Sequence, residues 1–358
     1  MRKNILVILV LFTFVFFTGC NKKISSENTT PARSGNSNVQ NNNLKISIAT
    51  PKIENYYPFE KNVKYSYVGN GNEYATYYYN VDYVSANREQ IRTNNGGTET
   101  VKVIENKDGE LRLIFLKSEI YYRENFTLKN NAKPEILLKE PLIKGNSWTL
   151  LDGNVRSISN VNVVITTPLG NYKCIEVSTV RKDGIVKDYY APNIGLVKTI
   201  LESNGTKVSS SLSKIEKNVS FVQIVKFYFP NGNDGVNYIT NEKLSFNTNY
   251  ITKTIFEKVF KEVPNKNVGK VISPNTKIKS LYLNIDGMVH VDFSKEFTEE
   301  MNAGSGYESQ ILQCITNTLG DYYMVKKVYI TVEGKPYSSG HVLMKKGEAF
   351  IVDYKNTK

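Results

Sequence analysis

Between residues 53 and 215 the chain repeats one pattern: short segments rich in Tyr, Val, Ile and Thr, with no amphipathic helix among them. Side chains of this kind suit a pleated, half-buried surface. Segments 63–68, 73–84, 98–105, 110–116, 120–125, 155–166, 171–180 and 185–190 therefore read as strands. Asp108-Gly109, Asp152-Gly153 and Asp183-Gly184 supply hairpin turns, and Gly96-Gly97 a further break. The expected product is an all-β antiparallel curved sheet or half-open barrel over residues 51–215, with a loop near Pro134 to Pro141 wrapping one side. Residues 202–217, dominated by Ser and Lys, read as a hairpin or exit segment.

Tyr74, Tyr77, Tyr78, Tyr79 and Tyr83 crowd one stretch of this region. Barrels of antiparallel strands often hold ligands in their mouths, and aromatic rings suit an apolar ligand or the face of a sugar. Tyr74, Tyr77, Tyr79 and Tyr83 are thus a candidate ligand platform for a lipid or a wall glycan. Against it stands the two-residue period of a strand, which sends Tyr78 to the face opposite Tyr77 and Tyr79. The plainer reading is that Tyr is a good strand former whose ring is half-buried and whose hydroxyl stays wet.

The start of the chain is of another kind. Arg2 and Lys3 precede an apolar run, residues 5–17, broken only by Thr13. Such a run suits the core of a secretion signal and falls short of the about 20 residues that a membrane-spanning helix needs. It ends in Phe17-Thr18-Gly19-Cys20, which resembles the lipobox of bacterial lipoproteins, with Phe17 where Leu is usual. The resemblance implies that residues 1–19 are removed and that the Cys20 thiol carries a diacylglycerol, which anchors the protein in the membrane. An ordinary secretion signal would leave Cys20 without a role. Residues 20–50 hold too little apolar area to offset the entropy of ordering, so they read as a flexible linker.

Towards the C-terminus the pattern becomes mixed. Residues 221–229 and 236–246 read as strands, and Thr248 as the cap of a helix over 249–262, with Ile251, Ile255 and Val259 spaced four apart. Residues 281–285 and 288–293 read as a hairpin about Asp286-Gly287, where both turn positions need positive φ. A helix carrying Ile311, Ile315 and Leu319 is expected to end at Gly320, before a strand over 325–332. The order β, β, α, β, β, α, β is an α+β pattern, with helices on one face of a mixed or antiparallel sheet.

The residues Val289-His290-Val291-Asp292-Phe293-Ser294 with Phe297, the Gly304-Ser305-Gly306 loop, Ile315-Thr316-Asn317-Thr318-Leu319, the stretch from Val328 to Pro336, and Gly340-His341 resemble the GerMN domain of bacterial sporulation, germination and envelope lipoproteins. The resemblance covers roughly the last two fifths of the chain and implies a GerMN-like α+β domain over 216–358. It implies a non-enzymatic interaction module whose partners are envelope or sporulation-complex proteins. A candidate interaction surface follows at Asp292, Ser294, Glu333, Lys335 and His341, beside an open sheet edge that invites a partner strand.

Catalytic chemistry has little to work with. The two histidines, His290 and His341, stand in no recognisable nucleophile or metal-ligand context, and Asp292 suits capping the turn after its strand. No cofactor is expected. Cys174 and Cys314 fall in different expected domains, and Cys314, on the edge of an apolar helical stripe, reads as a small buried hydrophobe. The net charge of +12 comes from lysines scattered along the chain, which reads first as a solvated basic surface with no specific partner and second as an adaptation to an anionic membrane or wall surface, not as a nucleic-acid footprint. The leading expectation is a lipid-anchored interaction protein on the outer face of the cytoplasmic membrane of a Gram-positive cell. The alternative is a ligand-binding or carrier lipoprotein that works through the Tyr-rich β region; an internal cavity would favour it and a filled core would sink it.

Overall fold

Hairpin follows hairpin through the first two thirds of the molecule. The computed structural model describes residues 51–130 and 133–358, so the expected leader, the linker and Cys20 lie outside the described residues. A short helix, α1 (Ile53–Tyr56), is followed by β1 (Val63–Asn70), β2 (Tyr77–Val84), β3 (Arg88–Asn94), β4 (Glu99–Lys107), β5 (Glu110–Ser118) and β6 (Glu135–Lys139). These six strands form one antiparallel meander. A second comprises β7 (Ser147–Thr149), β8 (Val155–Thr167), β9 (Gly170–Arg181), β10 (Gly184–Ala191), β11 (Gly195–Ser203) and β12 (Thr206–Lys217). Pairing of β1 with β12 joins them into one twelve-stranded sheet. The segment expected to be a hairpin or exit is therefore part of the sheet itself.

The sheet curls until its two edges approach. Trp148 Nε1 on β7 donates to the Ile136 carbonyl on β6 at 3.2 Å, and Arg156 on β8 donates to the same carbonyl at 2.7 Å. Arg156 also pairs with Glu135 at 2.7 Å. The barrel is nearly closed, with side chains in place of a ladder along its seam.

The C-terminal part begins with a two-stranded ribbon, β13 (Phe221–Asn231) and β14 (Val236–Phe246). After α2 (Thr252–Lys261) come β15 (Ile278–Leu283), β16 (Val289–Phe293), α3 (Glu296–Glu299), α4 (Ser305–Tyr323), β17 (Lys327–Val332), β18 (Lys335–Pro336) and β19 (Phe350–Ile351). Their sheet runs β15-β16-β17-β18, with β19 also on β17. It is mixed: β16 and β17 are parallel, and α4 makes the crossover that parallel strands require. The α+β class is as expected.

Each side of the barrel wall has its own core. Tyr65, Tyr67, Ile91, Ile104, Val177 and Leu212 pack inside the barrel. Val101, Val103 and Ile114, on the opposite face of β4 and β5, join Phe227, Phe229, Phe256, Phe260, Ile315 and Val291 in a second cluster. The C-terminal part therefore covers a patch of the barrel's outer surface.

Several local expectations fail for identifiable reasons. Strand β3, Arg-Glu-Gln-Ile-Arg-Thr-Asn, has too many charges to read as a strand, yet it lies mid-sheet between β2 and β4. Conversely, 120–125 is extended but unpaired: its carbonyls at Ile120, Tyr122 and Glu124 are taken by the Arg92 and Gln90 side chains instead of a neighbouring strand. Thr248 does not cap α2, which starts at Thr252; its hydroxyl donates to the Val81 carbonyl and accepts from Asn62 N–H. Helix α4 runs through Gly320 and ends at Met324 in a left-handed conformation. Gly320 is instead a point of close approach, where a Cβ would lie 2.2 Å from Val352 Cγ2. In the Asp286-Gly287 turn only Gly287 has positive φ, whereas Asp108-Gly109 has it at both positions. Both cysteines are free and buried.

Candidate functional site

Inside the barrel the two-residue strand period assembles a tyrosine wall. Tyr65 lies opposite Tyr79 and Tyr67 opposite Tyr77 across β1 and β2, and the rings stack with centroids 4.8 and 4.5 Å apart. Beside this wall is a cavity of about 240 Å³. Tyr57, Tyr67, Tyr77 and Tyr79 line it together with Ile91, Ile104, Leu113 and Leu196. Burial raises the pKa of Tyr67, Tyr77 and Tyr79, so all three stay neutral phenols at physiological pH.

Ionisable groups also reach this cavity. Glu135 is paired with Arg156, and Asp188 accepts a 2.6 Å hydrogen bond from Thr199 Oγ1. Burial raises the Asp188 pKa against the lowering effect of that bond and of Arg156. Lys102 differs. It has no hydrogen-bond or ion-pair partner among the described residues, and burial pushes its pKa down while Glu135 and Asp188 pull it up. Deeper in the barrel, burial lifts the Glu89 carboxyl to about 8.

Of the expected tyrosine platform, Tyr77 and Tyr79 line the cavity. Tyr74 sits in a 3-10 turn and is 55% exposed, while Tyr83 lies on the other side of the wall, where Arg123 donates to its hydroxyl at 2.8 Å. Tyr57, Tyr67, Lys102 and Asp188 complete the cavity and were not singled out from the sequence.

The C-terminal candidates are mostly engaged with one another. Asp292 accepts from Thr331 Oγ1 at 2.6 Å and Gly334 N–H at 2.8 Å, so it holds the β17–β18 turn, not the turn after its own strand. Glu333 pairs with Lys279 at 2.6 Å, and Ser294 Oγ accepts from Lys277 N–H at 2.9 Å. Lys335 and His341 are exposed. His290 bonds Asp286 at 2.8 Å beside Asn284. At the start of β15, the outer strand of the mixed sheet, Glu257 accepts from Ile278 N–H, and Lys253 donates to the Lys279 carbonyl.

The ribbon has open edges. Asn237 and Ile239 N–H bond the C-terminal tail outside the ribbon, so the strand period points the amides of Asn241, Lys243 and Ser245 outward as well. On β13, Tyr228 N–H bonds Thr318 of α4, so the amides of Val222, Ile224 and Lys226 also point outward. None of these six amides has a backbone partner among the described residues. Val222, Ile224 and Met324 are 43, 75 and 68% exposed, and Ile224 and Met324 line a groove of about 360 Å³.

Residues 226–338, from within β13 to just beyond β18, match the protein family described as Germane: Sporulation and spore germination. The chain contains a GerMN domain. No curated protein matches the chain. Among solved structures it is similar to the tandem GerMN domains of the sporulation protein GerM from Bacillus subtilis, at 18% identity and TM-score 0.28, over 36% of this chain and 46% of that one. The first GerMN domain of that protein is matched at 21% identity and TM-score 0.25, over 32% and 86%. A candidate lipoprotein from Clostridium perfringens is matched at 16% identity and TM-score 0.25, over 37% and 87%. With TM-scores below 0.5, these three likenesses carry no argument.

A buried polar junction fixes the GerMN domain to the barrel. Asp82 pairs with Arg92 at 3.1 Å and with Arg123 at 3.5 Å, and Gln90 donates to Asp82 at 3.1 Å. Arg123 donates to carbonyls at Asp82, Asn247 and Tyr250, and its own N–H bonds the Tyr322 hydroxyl of α4 at 2.8 Å. Thr252 of α2 donates to the Arg123 carbonyl at 2.7 Å. Burial would lower the Arg92 pKa, but Asp82 and Glu99 raise it, so the guanidinium stays charged. Among the described residues, no three His, Cys, Asp or Glu side chains stand close enough to hold a metal, and no helix is long and apolar enough to cross a membrane.

Proposed function

We propose that this chain is a lipid-anchored, non-enzymatic envelope protein whose GerMN domain docks partner proteins of sporulation, germination or envelope assembly. The observation that carries the reading is the ribbon: two unpaired backbone edges flanked by exposed Val222, Ile224 and Met324, a surface that accepts an extended segment of another protein by strand addition. The family match supports the cellular setting. The lipid on Cys20 would supply the anchor, and the rigid junction would carry the barrel with the docked domain.

The test is crosslinking in cells, followed by capture of the full chain and mass spectrometry. Deleting residues 221–358 would also uncover Val101, Val103 and Ile114, so substitutions on the ribbon are the cleaner probe. Ile224→Asp and Lys243→Pro change the exposed face and an outward amide and leave the β13–β14 ladder intact. Loss of the captured partners in both variants is the expected result; unchanged capture refutes docking at the ribbon.

A second reading is favoured by the barrel cavity: a binding role for the β region, with the GerMN domain as its docking unit. At about 240 Å³ the cavity is smaller than the usual drug-sized site, which suits a small molecule and not a long-chain lipid.

A further inference from the structure

The cavity holds an unbalanced charge. Its formal cations are Lys102, Arg156 and Arg181, and its formal anions are Glu135 and Asp188. Arg156 and Glu135 neutralise each other, Asp188 is held by Thr199, and Arg181 is exposed at the rim. Lys102 is left reaching an aromatic cavity without a partner among the described residues. Lys102 is half-buried, and an amine that reaches an aromatic cavity without a direct partner is free to take one. Its presence is accounted for when the partner is a ligand.

We propose that the barrel cavity binds a small aromatic carboxylate, with the carboxylate on Lys102 and the ring against Tyr67, Tyr77 and Tyr79. With Arg181 at the rim counted, three formal cations face two formal anions, and one carboxylate balances them. A flat ring matches the tyrosine wall, because ring against ring gains more than area burial alone. Size sets the scale: apolar cavities of about 150 Å³ take benzene, so about 240 Å³ suits a molecule of one or two fused rings with its carboxylate. A second hollow of about 200 Å³, sharing Glu135 and Arg181 with the cavity and lined by Leu150 and Leu151, gives a path to the surface.

This assignment rests on the second reading above and can fail separately from it. The full chain in lipid nanodiscs is titrated with fluorine-labelled naphthoate, naphthalenemethanol and octanoate, observed by fluorine NMR against empty nanodiscs. Naphthoate is expected to bind about tenfold or more tightly than naphthalenemethanol. Lys102→Met is expected to erase that difference while the protein stays folded by circular dichroism. Equal affinity for naphthoate and its alcohol, or a preference that survives Lys102→Met, overturns the role of Lys102. Octanoate binding as tightly as naphthoate overturns the aromatic class and leaves a ligand site. Absence of binding by all three overturns both the assignment and the reading beneath it. The comparison of the two naphthalene probes is made on the unaltered chain, so the test holds even where a variant fails to fold.

Discussion

The two faces of the barrel wall bury charge in opposite ways. On the outer face Asp82, Arg92, Arg123 and Gln90 form a network of ion pairs and hydrogen bonds with partners from both the barrel and the GerMN domain, with Asp82 Oδ1, Arg92 Nε and Arg123 Nε left without a hydrogen bond. On the inner face Lys102 has none among the described residues. Buried charge that is paired across two bodies joins them, because removing one member strands the rest. The half-buried amine of Lys102, with no direct partner, instead faces an open cavity. The same wall thus carries a junction on one side and a tyrosine-lined hollow on the other.

The largest expected effect breaks the junction. Asp82→Ala leaves Arg123 buried without a counter-charge and Arg92 with Glu99 alone, and should cost roughly 3 to 5 kcal/mol in urea denaturation of the full chain. A cost below about 1 kcal/mol would mean that water reaches the junction and that the network holds nothing together.

Next comes Glu89 on the inner face. Burial lifts its carboxyl from the ordinary 4.5 to about 8, with Glu60 and the tyrosines Tyr57, Tyr65 and Tyr79 around it. The folded form therefore holds a proton that the unfolded form has lost, and stability falls as pH rises from about 4.5 towards 8. The expected loss is roughly 3 to 4 kcal/mol between pH 5 and 8. Glu89→Gln should flatten that slope in denaturation midpoints measured across the range; a slope unchanged by the substitution removes Glu89 as its source.

Tyr322→Phe sharpens the comparison by removing one link of the junction, the hydroxyl that bridges Arg123 N–H and Gln223. A cost of about 1 to 2 kcal/mol is expected, again by denaturation. The smallest effect has the opposite sign. Lys102→Met should leave stability unchanged or raise it by about 1 kcal/mol, since a half-buried amine without a direct partner is exchanged for an apolar chain of similar length. A clear loss of stability would show that Lys102 has a partner within the fold.

Much of the architecture was legible along the chain. The β-rich barrel followed by a mixed α+β domain was expected from strand composition, turn residues and the period of Ile311, Ile315 and Leu319. The failures concentrate at the junction. Strand β3 escaped recognition because Arg88, Gln90 and Arg92 look like solvent-facing residues until a second domain covers them. Segment 120–125 looked like a strand because its side chains are those of a strand, while its carbonyls are satisfied by Arg92 and Gln90. Of the tyrosines, alternation paired Tyr77 with Tyr79 correctly but could not bring in Tyr57 and Tyr67, which arrive from elsewhere in the chain.

Alone, the sequence determined which residues share a side of each strand: Val101 and Val103 together, with Lys102 opposite them. Tertiary structure decided which side is dry. Next to two valines a lysine reads as the wet face, yet here the valines point outward into the GerMN core and Lys102 points into the barrel. The physical reason is that a period of two fixes relative orientation only. Which face meets water depends on what packs against it, and that partner lies more than a hundred residues away.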